Sequence, residues 1–314
     1  MTVRLGIKVG PQNWRAKLDH DPNIEQAEVF TKLSYLDADP SDYEALFAEL
    51  KNRGIEGSLH SSSTLESGLD PNLATADDEV RNATRALLER TIDLAAEHGM
   101  RYVIIHPGSA YVWGVQPKGY TYRLEPPTPP DEARARAIDE MHGLVTYGQA
   151  RGVTPLAENL PGRDYASYSP PDRTRTIDVE FLPYTVLREM GEQGIGLCVD
   201  IGHVYAELAV STTPPQATDE ERFVDVVAAT RELAPYAQYI HLSTTAPPHN
   251  GTDCHLGFLP EDAARGALPN REQLLSWLAL FHERDVWAIP EPMGDAAMHI
   301  ANYQTLRTWL EEVP

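Results

Sequence analysis

Short apolar, β-rich runs alternate with longer segments of helical period along the whole chain, and this alternation restricts the fold more than any other feature. The runs are Arg4–Val9, Ala27–Lys32, Ile55–His60, Tyr102–His106, Thr154–Glu158, Gly196–Asp200, Tyr239–Leu242 and Val286–Glu291. Between them lie amphipathic segments at Asp42–Arg53, Glu79–His98, Asp131–Arg151, Val179–Gln193, Asp219–Ala234, Arg271–Arg284 and Met298–Glu311, and a poor, short helix within Asn13–Glu25. Gly54, Gly99, Gly152 and Gly194 stand where helices must stop, because glycine takes the left-handed C-cap conformation without strain. A strand follows each within one or two residues, the short joint of a parallel sheet. Eight such units in 314 residues, with no break in composition, predict an α/β fold, a single (β/α)8 TIM barrel over residues 1–314. An open doubly wound sheet would want a Gly-rich phosphate loop after the first strand, and Val9-Gly10-Pro11-Gln12-Asn13 is not one.

The strands carry their chemistry at their ends. At the ends of the third to eighth runs, in the last position or, in the seventh, one before it, stand His60, His106, Glu158, Asp200, His241 and Glu291. In a barrel those positions border the C-terminal mouth, where carboxylates packed behind apolar strands would repel one another or be costly to desolvate. Divalent metal ions resolve the conflict, and mixed imidazole and carboxylate donors suit Zn2+, Mn2+ or Fe2+. Asp200-Ile-Gly-His203 and Asp253-Cys-His255 add donors, for a set of nine: His60, His106, Glu158, Asp200, His203, His241, Asp253, His255 and Glu291. One ion takes three or four protein ligands, so nine imply two or three ions with bridging carboxylates.

Two strand-to-helix connections are long, at 107–130 and 159–177, where barrels usually grip substrate. Trp113, Lys118 and Arg123 in the first, Arg163, Arg173 and Arg175 in the second, and His249 near the Asp253 motif are the candidate substrate contacts. Each long loop sums to +1, whereas the chain as a whole carries −21. That acidity weighs against a general nucleic-acid binder, whose footprint is a basic face, although a small basic patch can sit on an acidic body. Only five residues are lysine: 8, 17, 32, 51 and 118. Cys198 and Cys254 form no CxxC, the N-terminus lacks a signal-peptide pattern, and no run of 18 apolar residues occurs. The expectation is a cytoplasmic protein away from membranes, with no protein partner evident. His20, His98, His142, His282 and His299 are expected at the solvated surface.

The strand-end series, with Asp-x-x-His after the sixth strand and Asp-x-His after the seventh, resembles the xylose-isomerase-like barrel superfamily. Its pattern is most similar to the endonuclease IV family of trinuclear zinc AP endonucleases. The resemblance covers about residues 60–291 and includes His106-Pro107-Gly108-Ser109 and Glu158-Asn159. It implies His60 and His106 on one zinc, with Glu158 bridging to a second completed by Asp200, His241 and Glu291. His203, Asp253 and His255 would hold the third. The implied chemistry is attack of a metal-activated hydroxide on a phosphodiester. The chain departs from the family at Gly6-Ile-Lys-Val-Gly-Pro, at Ser61-Ser62-Ser63 and at Leu256–Pro260, which removes much of the DNA-reading surface. A small anionic or sugar-like substrate therefore stands beside damaged DNA. Sugar isomerases and epimerases of the same fold offer an alternative: Glu158, Asp200, His241 and Glu291 hold one metal, His203 touches substrate, and Glu158 and Glu291 exchange a proton. A multinuclear non-haem iron oxidase is a further alternative.

Overall fold

The computed structural model describes residues 3–32, 37, 39–61, 64–115, 121–124, 126–162, 181–214, 216–251 and 254–312, with backbone only for 115 and 121–124. Its main sheet contains β1 (Val3–Leu5), β2 (Ile7–Val9), β3 (Gln26–Phe30), β4 (Glu56–His60), β5 (Tyr102–Ile105), β8 (Thr154–Glu158), β9 (Gly196–Asp200), β10 (Ala237–Leu242) and β11 (Val286–Pro290). Every described pairing is parallel, and the order β1-β11-β10-β9-β8-β5-β4-β3-β2 is that of a nearly closed barrel. The first run accounts for the closure. Expected as one strand, it divides at Gly6, so that β1 pairs with β11 and β2 with β3. A Cβ at Gly6 would lie 2.6 Å from Ile289 Cδ1 and 2.8 Å from Gln26 O, so only glycine fits at this seam.

Helices α1 (Trp14–Leu18), α2 (Ser41–Arg53), α3 (Asp78–Glu97), α4 (Pro130–Gln149), α5 (Tyr184–Glu192), α6 (Ile201–Ser211), α7 (Asp219–Leu233), α8 (Pro260–Ala264), α9 (Arg271–Leu278) and α10 (Ala296–Glu311) accompany the strands. Helical period does not reveal α6, because Ile201 to Ala209 are all buried and no polar face remains to mark the repeat. The segment expected as helix over 271–284 continues past Leu278 only as a 3-10 turn at Ala279–Phe281. Part of the 107–130 connection, expected as loop, is an antiparallel ribbon of β6 (Val112–Val115) and β7 (Thr121–Leu124). None of the described helices is long and apolar enough to cross a membrane.

The apolar core has two layers. The larger fills the space between the sheet and the helices, with Val29, Leu59, Val103, Ala157, Val199, Ile240 and Ala288 pointing outward from their strands. Residues of the opposite parity plug the barrel: Tyr102, Ile104, Leu156, Cys198, Tyr239, Trp287 and Ile289. Continuing that inward parity up each strand reaches His60, His106, Glu158, Asp200, His241 and Glu291. The plug thus forms the floor on which the strand-end groups stand.

Candidate metal centre

The strand-end side chains line or underlie a cleft of about 470 Å³ at the barrel mouth, whose wall includes Lys8, Phe30, His60, His106, Glu158, His203, His255, Glu291 and His299. Three of its imidazoles have their Nδ1 atoms set against main-chain carbonyls: His60 on Ser61 O at 3.0 Å, His203 on Asn159 O at 2.7 Å and His255 on Glu291 O at 3.2 Å. A carbonyl can only accept, so each Nδ1 carries the proton and each Nε2 keeps its lone pair, as second-shell partners of metal-ligating histidines arrange. The backbone supports this placement. Asp200 caps α6 by accepting from His203 N at 2.9 Å, which fixes the Asp-x-x-His pair at a helix start. The intervening Gly202 is required there, since a Cβ would meet Ser243 Oγ at 2.1 Å, and that hydroxyl donates to Asp200 Oδ1 at 3.1 Å. His255 is the one non-glycine residue with positive φ, at 40°, among the described residues.

Glu158 stands between two donor groups. His60, His106 and Glu158 offer three ligand atoms lying within 4.8 Å of one another, and so do Glu158, Asp200, His241 and Glu291 with four. Glu158 Oε2 faces His106 Nε2 at 3.1 Å and His60 Nε2 at 3.3 Å, while Oε1 faces His241 Nδ1 at 2.9 Å. Burial alone would raise the pKa of Glu158, but His241 and His106 hold it well below the ordinary carboxylate value. His241 is raised well above its ordinary value: burial opposes the charge, and Cys198, Glu291, Glu28 and Glu158 outweigh it. Four buried carboxylates, Glu28, Glu158, Asp200 and Glu291, meet a single lysine, Lys8, among the described residues of the cleft. Three negative charges remain for imidazolium or metal cations to balance, and the donor set fits divalent ions.

The sequence matches the xylose isomerase-like TIM barrel family over residues 23–273. The chain belongs to that family. No curated protein matches it. Among solved structures, a D-tagatose 3-epimerase-like protein is similar at 17% identity and a TM-score of 0.66, covering 98% of each chain. Endonuclease IV from Thermus thermophilus is similar at 17% identity and a TM-score of 0.62, covering 99% of this chain and 100% of its own. A 3-keto-D-glucoside 4-epimerase from E. coli follows at 13% identity and 0.62, covering 98% and 99%. Such identities establish the fold alone.

This xylose isomerase-like barrel also brings in groups that strand ends do not announce. Glu28, fully buried in mid-strand, accepts from His241 Nε2 at 2.8 Å. Lys8, its register partner on β2, places Nζ 3.1 Å from Glu28 Oε1 and pairs with Glu291. Burial works against charge on both. His241 and Lys8 nevertheless hold Glu28 low, and Glu291 and Glu28 hold Lys8 high. The available signal was parity: Lys8, Gln26 and Glu28 are polar residues on the inward face of a barrel. His299, expected in solvent, instead lines the cleft. Trp113 is buried in the ribbon and His249 is half-buried near Arg222, and neither lines the cleft. Arg123 lies on β7, described by its backbone alone. Lys118, Arg163, Arg173, Arg175 and Asp253 lie outside the described residues.

Proposed function

We propose that this barrel is a hydrolase of phosphate esters that works with two or three divalent ions, with zinc the best match to its donors and Mn2+ or Fe2+ the substitutes. The observation that carries the reading is the sharing of Glu158 between a His60–His106 group and an Asp200–His241–Glu291 group. Bound metals supply the positive charge that activates water and stabilises the charge developing on a phosphoryl group. The chain's own residues do the positioning. Glu158 ties the two groups at a fixed separation, and Glu28 accepts the Nε2 proton of His241, which leaves Nδ1, 2.9 Å from Glu158 Oε1, as the nitrogen that would turn to an ion held jointly with Glu158. Asp253, expected with His203 and His255 in a third group, completes the proposed ligand set. His106 and His255, about a third exposed at 36% and 30%, are the donors nearest the open cleft, so substrate approaches from their side.

Metal analysis of the purified protein, paired with hydrolysis of bis(p-nitrophenyl) phosphate and of an abasic-site duplex, tests the reading. Two or three ions per chain, with phosphodiester cleavage lost in Glu158→Gln, is the expected result. A single ion per chain and no cleavage of either substrate would overturn it. The same four residues, Glu158, Asp200, His241 and Glu291, also make a complete one-metal site, and that feature favours a second reading as a sugar isomerase or epimerase. Against it, a one-metal site leaves His60, His106, Asp253 and His255 without a role.

A further inference from the structure

A second pocket of about 330 Å³ adjoins the metal cleft and shares Lys8, Phe30 and His299 with it. Lys17, Lys32 and Gln12 contribute to the rest of its polar wall. Three of the chain's five lysines therefore line one pocket, in a protein with 47 acidic residues and a net charge of −21. No Asp or Glu is among its described lining residues. In so acidic a body, this is a local reversal of sign at the edge of the reactive cleft.

Lys17 gives the pocket its meaning. Its side chain rises from α1, is 1% exposed, and donates one hydrogen bond, from Nζ to Lys8 O at 2.8 Å. Among the described residues no carboxylate pairs with it, and two of its three N–H donors are unmatched. A buried ammonium without a counter-ion costs several kcal/mol, so a chain that keeps one in a pocket wall gains if an anion enters there. Burial and then the Lys8 charge pull Lys17 down to about 7, and burial, then Lys17 and Lys8, pull His299 down to about 4.

We propose that this pocket seats the anionic group of a small substrate, a phosphate monoester or a carboxylate, while the rest of the molecule reaches past Lys8, Phe30 and His299 into the metal cleft. A small molecule fits better than a polyanion, because further phosphates would have to lie on an acidic body. The seat rests on Lys17, which no carboxylate among the described residues meets, with Lys32 beside it in the wall; only the second half of the proposal rests on the metal-centre reading.

Titration calorimetry of inorganic phosphate into the metal-loaded full chain tests it, with Lys17→Met, Lys32→Met and Glu158→Gln measured beside the wild type. One class of phosphate site should weaken at least about tenfold in both lysine variants at unchanged metal content and unchanged melting temperature or better, and should persist in Glu158→Gln. Equal phosphate affinity in the wild type and both lysine variants overturns the seat. Glucose 6-phosphate and gluconate then separate the two anions, since the one that displaces phosphate from this class identifies the group. Displacement by an abasic duplex alone overturns the small-substrate assignment. If phosphate binding is lost in Lys17→Met and no form hydrolyses a phosphodiester, the seat stands and the hydrolase reading fails. If hydrolysis is intact and phosphate binding is indifferent to Lys17, the reverse holds.

Discussion

The metal cleft and the lysine pocket share a wall yet solve opposite electrostatic problems. In the cleft, Glu28, Glu158, Asp200 and Glu291 crowd together, and their carboxylates meet imidazoles, an ammonium and donor N–H and O–H groups. In the pocket, Lys17 is buried with no acid among the described residues to meet it. The first arrangement has an excess of negative charge that cations complete, and the second an excess of positive charge that an anion completes. Lys8 belongs to both, with its ammonium on Glu28 and Glu291 and its carbonyl on Lys17. Two adjoining compartments of opposite sign suit a substrate whose reacting group binds metal and whose far end is anionic.

The hardest test of the negative side is Glu158→Gln. An amide keeps the volume but cannot act as an anionic bridge, so metal content should fall to one ion or none per chain. Turnover should fall by on the order of 10³-fold, the scale of losing one preorganised electrostatic element. Metal analysis and steady-state kinetics check both numbers, and full metal content with near-normal turnover would remove Glu158 from the centre.

Lys8→Met tests the shared wall. It leaves Glu28 and Glu291 without their ammonium, and breaking a buried ion pair on one side costs about 3–5 kcal/mol. Urea unfolding after chelation of metal should show that loss, and saturating divalent metal should recover part of it by supplying the missing charge. An unchanged midpoint in chelated protein would mean that the two carboxylates do not depend on Lys8. A smaller effect follows for Glu28→Gln, which keeps a hydrogen-bond acceptor for His241 but not the charge that fixes its proton. Metal affinity should drop roughly 10–100-fold, the usual range for an outer partner of a ligating histidine.

How much of this was legible depended on where polar residues fall within strands. His60, Glu158 and Asp200 end apolar runs, and such a position at a barrel mouth has few meanings other than chemistry. Lys8 in Ile7–Val9 and Glu28 in Gln26–Phe30 alternate with apolar neighbours. That pattern normally marks a strand with one wet face. Here the polar face turns into the barrel, a fact set by closure at Gly6 between residues far apart in sequence. The helix Ile201–Ser211 escaped for the opposite reason, since burial on all sides erased its period. His299 reads as a surface helix residue until the strand beside it shows that its face looks over the cleft. Residue type at a strand end is local information, whereas which face is inside is not.

Lys17→Met is the mildest and most discriminating change, because it should improve the protein while removing a function. A lysine whose folded pKa of about 7 lies below its unfolded value near 10.4 carries a desolvation cost that is fully present below pH 7. Between pH 7 and about 10.4 the folded protein loses that proton before the unfolded chain does, so the cost fades as pH rises. Methionine removes the charge and keeps most of the buried volume. The variant should therefore be more stable than the wild type at pH 6, by on the order of 1–2 kcal/mol once relaxation and the lost hydrogen bond to Lys8 are discounted. The difference should shrink towards zero near pH 10, as followed by urea midpoints across that range. Phosphate at millimolar concentration should narrow the gap at pH 6, because it stabilises the wild type by binding the folded state and has no ammonium to meet in the variant. A destabilised variant at pH 6, or a gap that ignores phosphate, would mean that Lys17 is an ordinary buried stem held for packing, and the contrast between the two compartments would lose its positive half.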